Sequence, residues 1–238
     1  MSPNDPRTLD TLRLYDDYGH REKAELYLQP NAHTRDKLRN IERLVQAAPG
    51  EEIVELGYSS GKSSIHFARA GANVKAVDFD PMALEAANWL LARVGPLRGN
   101  LSFEVADATA VEYGPEVNKI LMLDFTEHIE DQTFAQILAN IREQAPTVPV
   151  YIYTPNAWHW LELLKRLGAL KQEPTHINVK GIPRLRSFLR RHHFAIEREF
   201  WVPTHLVGLR IVDRVFGAIP LVGLLFRRRV AIVARVRN

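Results

Sequence analysis

A glycine-bracketed turn followed by a distant acid is the part of this sequence best suited to chemistry. An apolar run ends at Gly57, a short turn carries Ser59 and Gly61, and a second apolar run closes on Asp78. Glycines let a backbone approach a ligand closely, and the helix that follows offers unpaired N–H groups. An acid at the end of the second strand accepts hydrogen bonds from ribose hydroxyls. The spacing therefore predicts a site for a cofactor that carries a nucleoside.

The same turn also fits the G-x-S-x-G nucleophile elbow of serine hydrolases. In that interpretation Ser59 attacks an acyl carbon, and Asp124 and His205 are candidates for the acid and the base. An elbow of this kind needs several strands before it, including the loop that completes the oxyanion hole. Only one strand is predicted before Ser59, and the interpretation gives Asp78 no role. The hydrolase therefore ranks behind the cofactor site, as does a dinucleotide loop, whose third glycine is absent here.

Apolar runs and helical patterns alternate along most of the chain, which is typical of a parallel sheet with helices on both faces. One domain is expected over 1–238, in which 1–48 form an N-terminal helical cap and 204–226 an apolar helical insertion before the last strand. Asp80-Pro81 predicts a capped helix start. Strands are predicted at about 52–56, 73–77, 101–105, 118–123, 148–153, 195–202 and 229–236, and helices at about 61–70, 81–93, 131–144 and 157–168.

The composition is that of an ordinary globular protein, with 46% hydrophobic and 25% charged residues. The absence of cysteine excludes disulfides, thiolate nucleophiles and cysteine-ligated zinc. The charge is uneven, because residues 181–238 carry 12 arginines, no lysine and 3 acids, whereas 1–180 are net acidic. A basic end favours contact with a phosphate-rich surface, or simply keeps exposed helices soluble. No signal-peptide pattern is visible, so a cytoplasmic protein is expected.

The turn and its strand resemble motif I of the class I S-adenosylmethionine-dependent methyltransferases, a pattern close to V-L-D/E-x-G-x-G-x-G. Val54, Glu55, Gly57 and Gly61 match it, and Ser59 stands where the family has its central glycine. That glycine lets the backbone pass close to the methionine end of the cofactor, and serine is the mildest replacement. The resemblance implies S-adenosylmethionine as the cofactor, contacted by Glu55, Gly57, Ser59 and Gly61.

Two further segments resemble the family's landmarks in order and spacing, Ala76-Val-Asp-Phe79 and Phe103-Glu-Val-Ala-Asp-Ala108. The resemblance implies that Asp78 binds both ribose hydroxyls and that Phe79 flanks adenine. It also implies that Asp107 accepts a hydrogen bond from the adenine amino group and that Ala108 presents its backbone.

Later segments narrow the resemblance to one branch of the family. Tyr153-Thr-Pro-Asn156 resembles the turn after the fifth strand. His176-Ile-Asn followed by Leu185-Arg-Ser-Phe-Leu-Arg190 resembles the branch that contains ubiquinone-biosynthesis O-methyltransferases. The resemblance covers about residues 35–203. It implies a Rossmann-like doubly wound seven-stranded α/β sheet, mostly parallel with an antiparallel last strand, and methylation of a small or lipid-like acceptor at oxygen.

The segment Leu123-Asp-Phe-Thr-Glu-His128 resembles the family's D/E-x-L-E-H segment after the fourth strand, which adds Asp124 to the expected cofactor site. Methyl transfer to a hydroxyl needs alignment of the acceptor and removal of its proton. His128 is the candidate catalytic base, because imidazole is available in its neutral form near pH 7; ordering of the loop is its alternative role. Glu127 and Asp124 are possible ligands of a divalent ion, but no supporting spacing occurs elsewhere, so no metal is predicted.

His159 lies between Trp158 and Trp160, just after the fifth predicted strand. This aromatic cluster is a candidate wall for an acceptor pocket. Packing within a helix is the alternative role for all three side chains.

An uncharged apolar stretch from Val215 to Phe226 is followed at once by three arginines, Arg227 to Arg229. The stretch is too short to span a bilayer, which takes about 20 residues. It does fit a helix in the membrane interface, so contact with the cytoplasmic face through 215–229 is expected; packing on the sheet is the alternative. Nucleic acid is not expected, because aromatic residues are not interleaved with the basic ones. A non-catalytic binding protein that kept the fold stays open.

Overall fold

The computed structural model describes residues 19–171, 173–220 and 222–237. Residues 1–18 of the predicted N-terminal cap and Leu221 of the apolar stretch lie outside these ranges. The elements in chain order are α1 (His20–Leu28), α2 (Ala32–Val45), β1 (Glu52–Leu56), α3 (Lys62–Ala70), β2 (Asn73–Asp78), α4 (Pro81–Leu91), β3 (Leu101–Val105), a 3₁₀ turn (Ala108–Ala110), β4 (Val117–Leu123), α5 (Asp131–Gln144), β5 (Val150–Pro155), α6 (Trp160–Arg166), α7 (Ile182–Arg191), β6 (Phe194–Val202), α8 (Val207–Gly217), a second 3₁₀ turn (Val222–Leu225) and β7 (Arg229–Val236).

The seven strands form one sheet in the order β3-β2-β1-β4-β5-β7-β6. Strands β1 to β5 pair in parallel with one another, and β7 runs antiparallel to both β5 and β6. The predicted doubly wound sheet with an antiparallel last strand is confirmed. The strand order reverses between β1 and β4, and ligands of open α/β sheets bind at such a switch point, beyond the carboxyl ends of the strands.

Successive residues of the central strands pack on opposite faces of the sheet, because side chains alternate along a strand. In β4, Ile120 and Met122 belong to the core shared with α5 and α7, whereas Leu121 and Leu123 belong to the core shared with α2, α3 and α4. All four side chains are buried. The sheet is therefore covered on both faces, which explains why its strands are almost continuously apolar.

Local signals start and stop the helices close to the predicted positions. The Asp80 carboxylate accepts a hydrogen bond from the Met82 N–H at 2.9 Å, and Pro81 occupies the first helical turn of α4. Asn31 caps α2 in the same way through the Thr34 N–H at 2.8 Å. These caps satisfy N–H groups that have no partner inside the helix.

Periodicity does not predict α1, because residues 1–32 show no strong helical pattern. In α1 only His20 and Ala24 are buried, and Ala24 packs against Ile65 of α3 and Leu90 of α4. Most helical stability in proteins comes from tertiary packing, so a short helix can form on a surface that the rest of the chain provides. Together, α1 and α2 cover the carboxyl edge of the sheet next to the glycine loop.

The core on the α5 side yields a stability prediction. Phe134 is fully buried and stacks on Phe188 of α7, with ring centroids 5.0 Å apart. Phe134→Ala should lower the free energy of unfolding by about 3–5 kcal/mol, because the lost contacts leave a cavity. Urea unfolding followed by circular dichroism measures the change. Ile211→Ala, at a side chain of α8 that is 64% exposed, is the control and should change stability by less than about 1 kcal/mol. Equal losses would contradict the prediction.

Candidate active site

The glycine loop joins β1 to α3 through three residues in the left-handed region. Gly57, Ser59 and Gly61 have φ angles of 77°, 52° and 72°. A Cβ at Gly57 would lie 2.3 Å from Phe125 Cδ2, and one at Gly61 would lie 2.7 Å from Phe103 Cζ. Both glycines are therefore required by conformation and by space. Ser59 adopts a conformation that disfavours a side chain, which gives a second physical reason for the glycine that the family carries there.

Asp78 lies at the carboxyl end of β2, directly beside this loop. Its Oδ2 accepts a hydrogen bond from the Ser59 N–H at 2.8 Å, and its Oδ1 accepts one from the Asp80 N–H at 3.1 Å. Burial raises the pKa of Asp78 to about 6, and these two hydrogen bonds oppose the rise. The sequence pattern thus located a carboxylate that is bound to the backbone of the loop.

His20 of α1 is a second residue that contacts the loop, and it is not among the site residues predicted from the sequence. Its ring nitrogens lie 3.1 Å from Ser59 Oγ and 2.9 Å from Asp80 Oδ2. No motif marks His20, because the contact joins residues that are distant in the sequence. His20 links α1 to both the loop and the start of α4.

The triad of the alternative hydrolase interpretation is not formed. His205 packs against His33, with their Nδ1 atoms 3.2 Å apart, and Ser59 instead contacts His20. Asp124 is engaged by two cations and not by a histidine that reaches Ser59. In the described part of the chain, no strand precedes β1 to supply an oxyanion loop.

Glu55 contacts the helix that follows the loop, and it does not line the cavity beside the loop. It is fully buried in β1, and its two carboxylate oxygens accept hydrogen bonds from the Ser63 and Ser64 hydroxyls of α3. Burial raises its pKa, and the two hydroxyls oppose this. Glu55 thus fixes the start of α3 against β1.

The other predicted cofactor residues follow the neighbouring strand ends. Phe79 comes directly after β2, and Asp107 and Ala108 come shortly after β3. Asp107 Oδ1 accepts hydrogen bonds from the Thr109 N–H at 2.9 Å and hydroxyl at 2.8 Å. Because β2 and β3 pair in parallel, these residues share one edge of the sheet with the glycine loop.

A cavity of about 330 Å³ lies between this edge of the sheet and the helices α1 and α2. Four predicted site residues line it: Gly57, Ser59, Asp124 and His128. The described lining is rich in cations, with six lysines and arginines against three acids. The cavity therefore favours negatively charged groups.

Asp124 is the electrostatic centre of the cavity. Its carboxylate forms ion pairs with Lys37 of α2, at 2.5 Å, and with Arg229 of β7. Burial alone would raise its pKa, but the Arg229 and Lys37 cations hold the pKa well below its usual range. Asp124 therefore has two cationic partners and also lines the cavity, and its role in cofactor binding stays a prediction.

His128 presents a defined face to the cavity. Its Nδ1 lies 2.9 Å from the carbonyl oxygen of Thr175, and a carbonyl can only accept, so Nδ1 carries the proton. Burial lowers the pKa of His128 to about 4, so the ring is neutral near pH 7 and its lone pair is on Nε2. The ring of His176 packs edge-on against it, with centroids 4.9 Å apart.

Glu127 is buried beside this histidine pair. Its Oε2 lies 3.0 Å from the Thr154 hydroxyl, and burial together with the Asp124 charge raises its pKa to about 8. Glu127, His128 and His176 each offer a ligand atom within 4.8 Å of the other two. No metal is predicted from the sequence, where this cluster is not recognisable because His176 follows much later in the chain.

His159 does not form a wall of the cavity, so the pocket role considered for it is wrong. It is fully buried, its Nδ1 accepts from the Leu161 N–H at 3.3 Å, and its Nε2 lies 3.3 Å from both Asp213 oxygens. Trp160 Nε1 donates to the same carboxylate at 3.3 Å. His159 thus caps α6 and ties it to α8, which is the packing role.

Residues 53–145 match a family model described as a methyltransferase domain. The matched stretch contains the glycine loop, Asp78, Asp107 and the segment 123–128. The match covers 93 of the 238 residues and shows that this segment is similar to a methyltransferase domain.

Three known methyltransferases illustrate the relationship. Magnesium-protoporphyrin O-methyltransferase of Rhodobacter capsulatus is 26% identical over 148 residues, which is 59% of this chain and 64% of that protein. The chain therefore matches less than two thirds of that relative's length. The structure of magnesium protoporphyrin IX methyltransferase from Synechocystis PCC 6803, with bound SAH, aligns with a TM-score of 0.58 at 16% identity, over 99% of this chain and 97% of that one. That of 1,6-didemethyltoxoflavin-N1-methyltransferase from Burkholderia thailandensis, with S-adenosylhomocysteine, aligns with a TM-score of 0.62 at 14% identity, over 100% and 93%.

The loop geometry predicts that Gly61 has no room for a side chain. Gly61→Ala places a Cβ 2.7 Å from Phe103 Cζ, whereas Gly95→Ala, also at positive φ, meets nothing within 4 Å. Both changes carry the left-handed penalty of about 1–2 kcal/mol. Gly61→Ala should lower the free energy of unfolding by about a further 1–3 kcal/mol because of the clash. Urea unfolding compares the two variants, and equal destabilisation would show that space at the loop is not limiting.

Proposed function

We propose that this chain is a methyltransferase that binds S-adenosylmethionine at the switch point of the sheet and methylates an oxygen of a small or lipid-like acceptor. The observation that carries the proposal is the buried Asp78 carboxylate, bound to the Ser59 N–H beside the glycine loop. The match of 53–145 to the methyltransferase domain supports it. In this proposal residues 1–238 act as one methyltransferase domain.

In the proposed cofactor site, Asp78 binds both ribose hydroxyls and Phe79 flanks adenine. Asp107 accepts a hydrogen bond from the adenine amino group, next to the backbone of Ala108. These positions follow adjacent parallel strands, β2 and β3, so one extended ligand can reach them together.

The methionine end of the cofactor is proposed to lie along the glycine loop. Gly57, Ser59 and Gly61 all have positive φ angles. The two glycines carry no side chain, so the backbone of the loop can lie close to the ligand. Glu55 acts as a positioning residue, because it is buried behind the loop and holds the start of α3. Asp124 borders the same end of the cavity.

His128 is the proposed catalytic residue. S-Adenosylmethionine supplies an activated methyl group on a sulfonium. The acceptor oxygen would take this methyl group as the C–S bond breaks with its electron pair left on sulfur, and His128 Nε2 would accept the proton that the acceptor oxygen loses. Thr175 fixes the ring with Nε2 as the lone-pair nitrogen, and the lining position of His128 brings it to the acceptor. Oxygen as the methylated atom is supported by the O-methyltransferase relative.

The charge of the cavity supports an acceptor that carries an acid group. Among the described residues, Lys62 forms no ion pair and Arg228 Nη1 is buried without a hydrogen-bond partner, yet both line the cavity. Burial, with Lys37 and Lys23 nearby, lowers the pKa of Lys62 to about 7. A carboxylate or phosphate on the acceptor would satisfy both cations.

Contact with an anionic membrane is proposed for α8 and the turn that follows it. The only acid of α8, Asp213, is fully buried against His159, so its outer side is apolar and basic. Ile211 is 64% and Val215 is 59% exposed, and Arg214 is exposed between them. Such a helix buries its apolar side among lipids and places arginines on lipid phosphates. No helix in the described ranges is long and apolar enough to cross a bilayer.

The cofactor proposal predicts that binding of S-adenosylhomocysteine depends on an ionised Asp78. Calorimetric titration should show binding that Asp78→Asn weakens at least about tenfold, as expected for a lost charged hydrogen bond. Because the pKa of Asp78 in the free protein is about 6, affinity should fall below that pH by about tenfold per pH unit.

Glu104→Gln, which changes an exposed carboxylate on β3, is the matched control and should leave both results unchanged. Absence of binding by the unsubstituted chain, with Ser59 labelled by a fluorophosphonate instead, would overturn the proposal in favour of a hydrolase.

The membrane proposal predicts co-sedimentation with vesicles that contain phosphatidylserine. Ile211→Asp with Val215→Asp should weaken partitioning by about 100-fold, because each apolar side chain contributes about 1.5 kcal/mol or more when buried. Leu167→Asp is the control, since Leu167 is 80% exposed but lies outside α8 and the turn that follows it. Partitioning that survives the double change would refute contact through this surface.

A further inference from the structure

We propose that Glu127, His128 and His176 form a binding site for a zinc-type divalent ion on the floor of the cavity. The segment after β4 supplies Glu127 and His128, and the connection between α6 and α7 supplies His176. One potential ligand atom from each side chain lies within 4.8 Å of the other two. On a tetrahedral ion with bonds of about 2.1 Å, donor atoms are about 3.4 Å apart, so a small closing movement of the side chains completes the site.

Two atoms of this cluster have no hydrogen-bond partner. Glu127 Oε1 and His176 Nδ1 are buried and unpaired among the residues that the structure describes. Glu127 is only 1% exposed, so water cannot compensate freely for the missing bond. Nine buried side-chain atoms of the described residues lack a partner, and these two are the ones that belong to the cluster of potential metal ligands. A metal cation accepts electron pairs from a carboxylate oxygen and a neutral imidazole nitrogen together.

The setting of His128 is that of a metal ligand. Its Nδ1–H donates to the Thr175 carbonyl, which directs the lone pair of Nε2 away from the backbone. Metal-binding histidines almost always donate their second nitrogen to a carbonyl or carboxylate in this way, which fixes the ring. Thr175 directly precedes His176, so one short segment orients both imidazoles. Asn178 extends this support, because its N–H donates to the Glu127 carbonyl at 3.0 Å.

The donor set indicates which ions fit. Two imidazole nitrogens and one carboxylate favour Zn²⁺, Co²⁺, Mn²⁺ or Fe²⁺, whereas Mg²⁺ and Ca²⁺ prefer oxygen ligands. Three protein ligands leave a coordination position open, as in catalytic zinc sites. His128 and His176 both line the cavity, so the open position faces the place proposed for the acceptor.

The use of the ion rests on the proposed function. An acceptor hydroxyl or carboxylate would occupy the open position, and a coordinated hydroxyl loses its proton to solvent more readily. With the ion bound, His128 would serve as its ligand, because one Nε2 lone pair cannot both coordinate the ion and accept a proton; without the ion, Nε2 accepts the acceptor's proton as proposed above. Asp124 is already paired with Lys37 and Arg229, so the ion would keep a net positive charge that favours an anionic oxygen.

The test is calorimetric titration of the full chain, freed of any histidine tag and treated with chelator, with Zn²⁺ and separately with Mg²⁺. We expect about one Zn²⁺ per chain and no comparable Mg²⁺ binding. Glu127→Gln and His176→Asn should each weaken Zn²⁺ binding by about 10- to 100-fold. Co²⁺ absorption in the visible range then reports the coordination geometry directly. Glu127→Gln preserves the shape of the side chain, so the test does not depend on a variant that fails to fold.

His205→Asn is the matched control, because His33 and His205 form a second histidine pair near the cavity. Absence of saturable Zn²⁺ binding by the unsubstituted chain would overturn the proposal. So would binding that survives both cluster changes, or that only His205→Asn abolishes. Titration of the same variants with S-adenosylhomocysteine should show unchanged affinity, so failure of the metal site and failure of the cofactor site give different results.

Discussion

A buried carboxylate shared by two cations joins the three parts of the molecule that meet at the cavity. Asp124 follows β4, Lys37 lies on α2, and Arg229 begins β7. Removal of one partner from a buried ion pair typically costs about 3–5 kcal/mol, because a charge is left in a low-dielectric site. The position of α2 over the sheet, and therefore the shape of the cavity, depends on this interaction.

Most of the fold could be predicted from the sequence because its signals are local. The strand and helix patterns, the Asp80 cap and the turn at Gly57 each involve residues that are close together in the chain. The alternation of apolar strands with helices then limits the topology to a parallel sheet. This reasoning does not predict α1, because the stability of α1 comes from Ala24 packing on α3 and α4 and not from a helical pattern of apolar residues.

The candidate site could be predicted only in part, for the same reason. Asp78 lies at a fixed distance from the glycine loop, so the motif located it correctly beside Ser59. The contacts of His20 with Ser59, and of His176 with His128, join segments that no spacing rule connects. His159 shows the opposite error. Its position between two tryptophans suggested a pocket wall, whereas in the structure it is buried in contact with Asp213.

The inward orientation of Asp213 has a consequence for how copies of this chain behave toward one another. Because the only acid of α8 is buried, the outer surface of this helix combines exposed apolar side chains with positive charge. Apolar patches draw molecules together, whereas like charges keep them apart over a distance set by ionic strength. Added salt screens the repulsion between these charges, so contact between the apolar side chains of two copies should become more favourable as ionic strength rises.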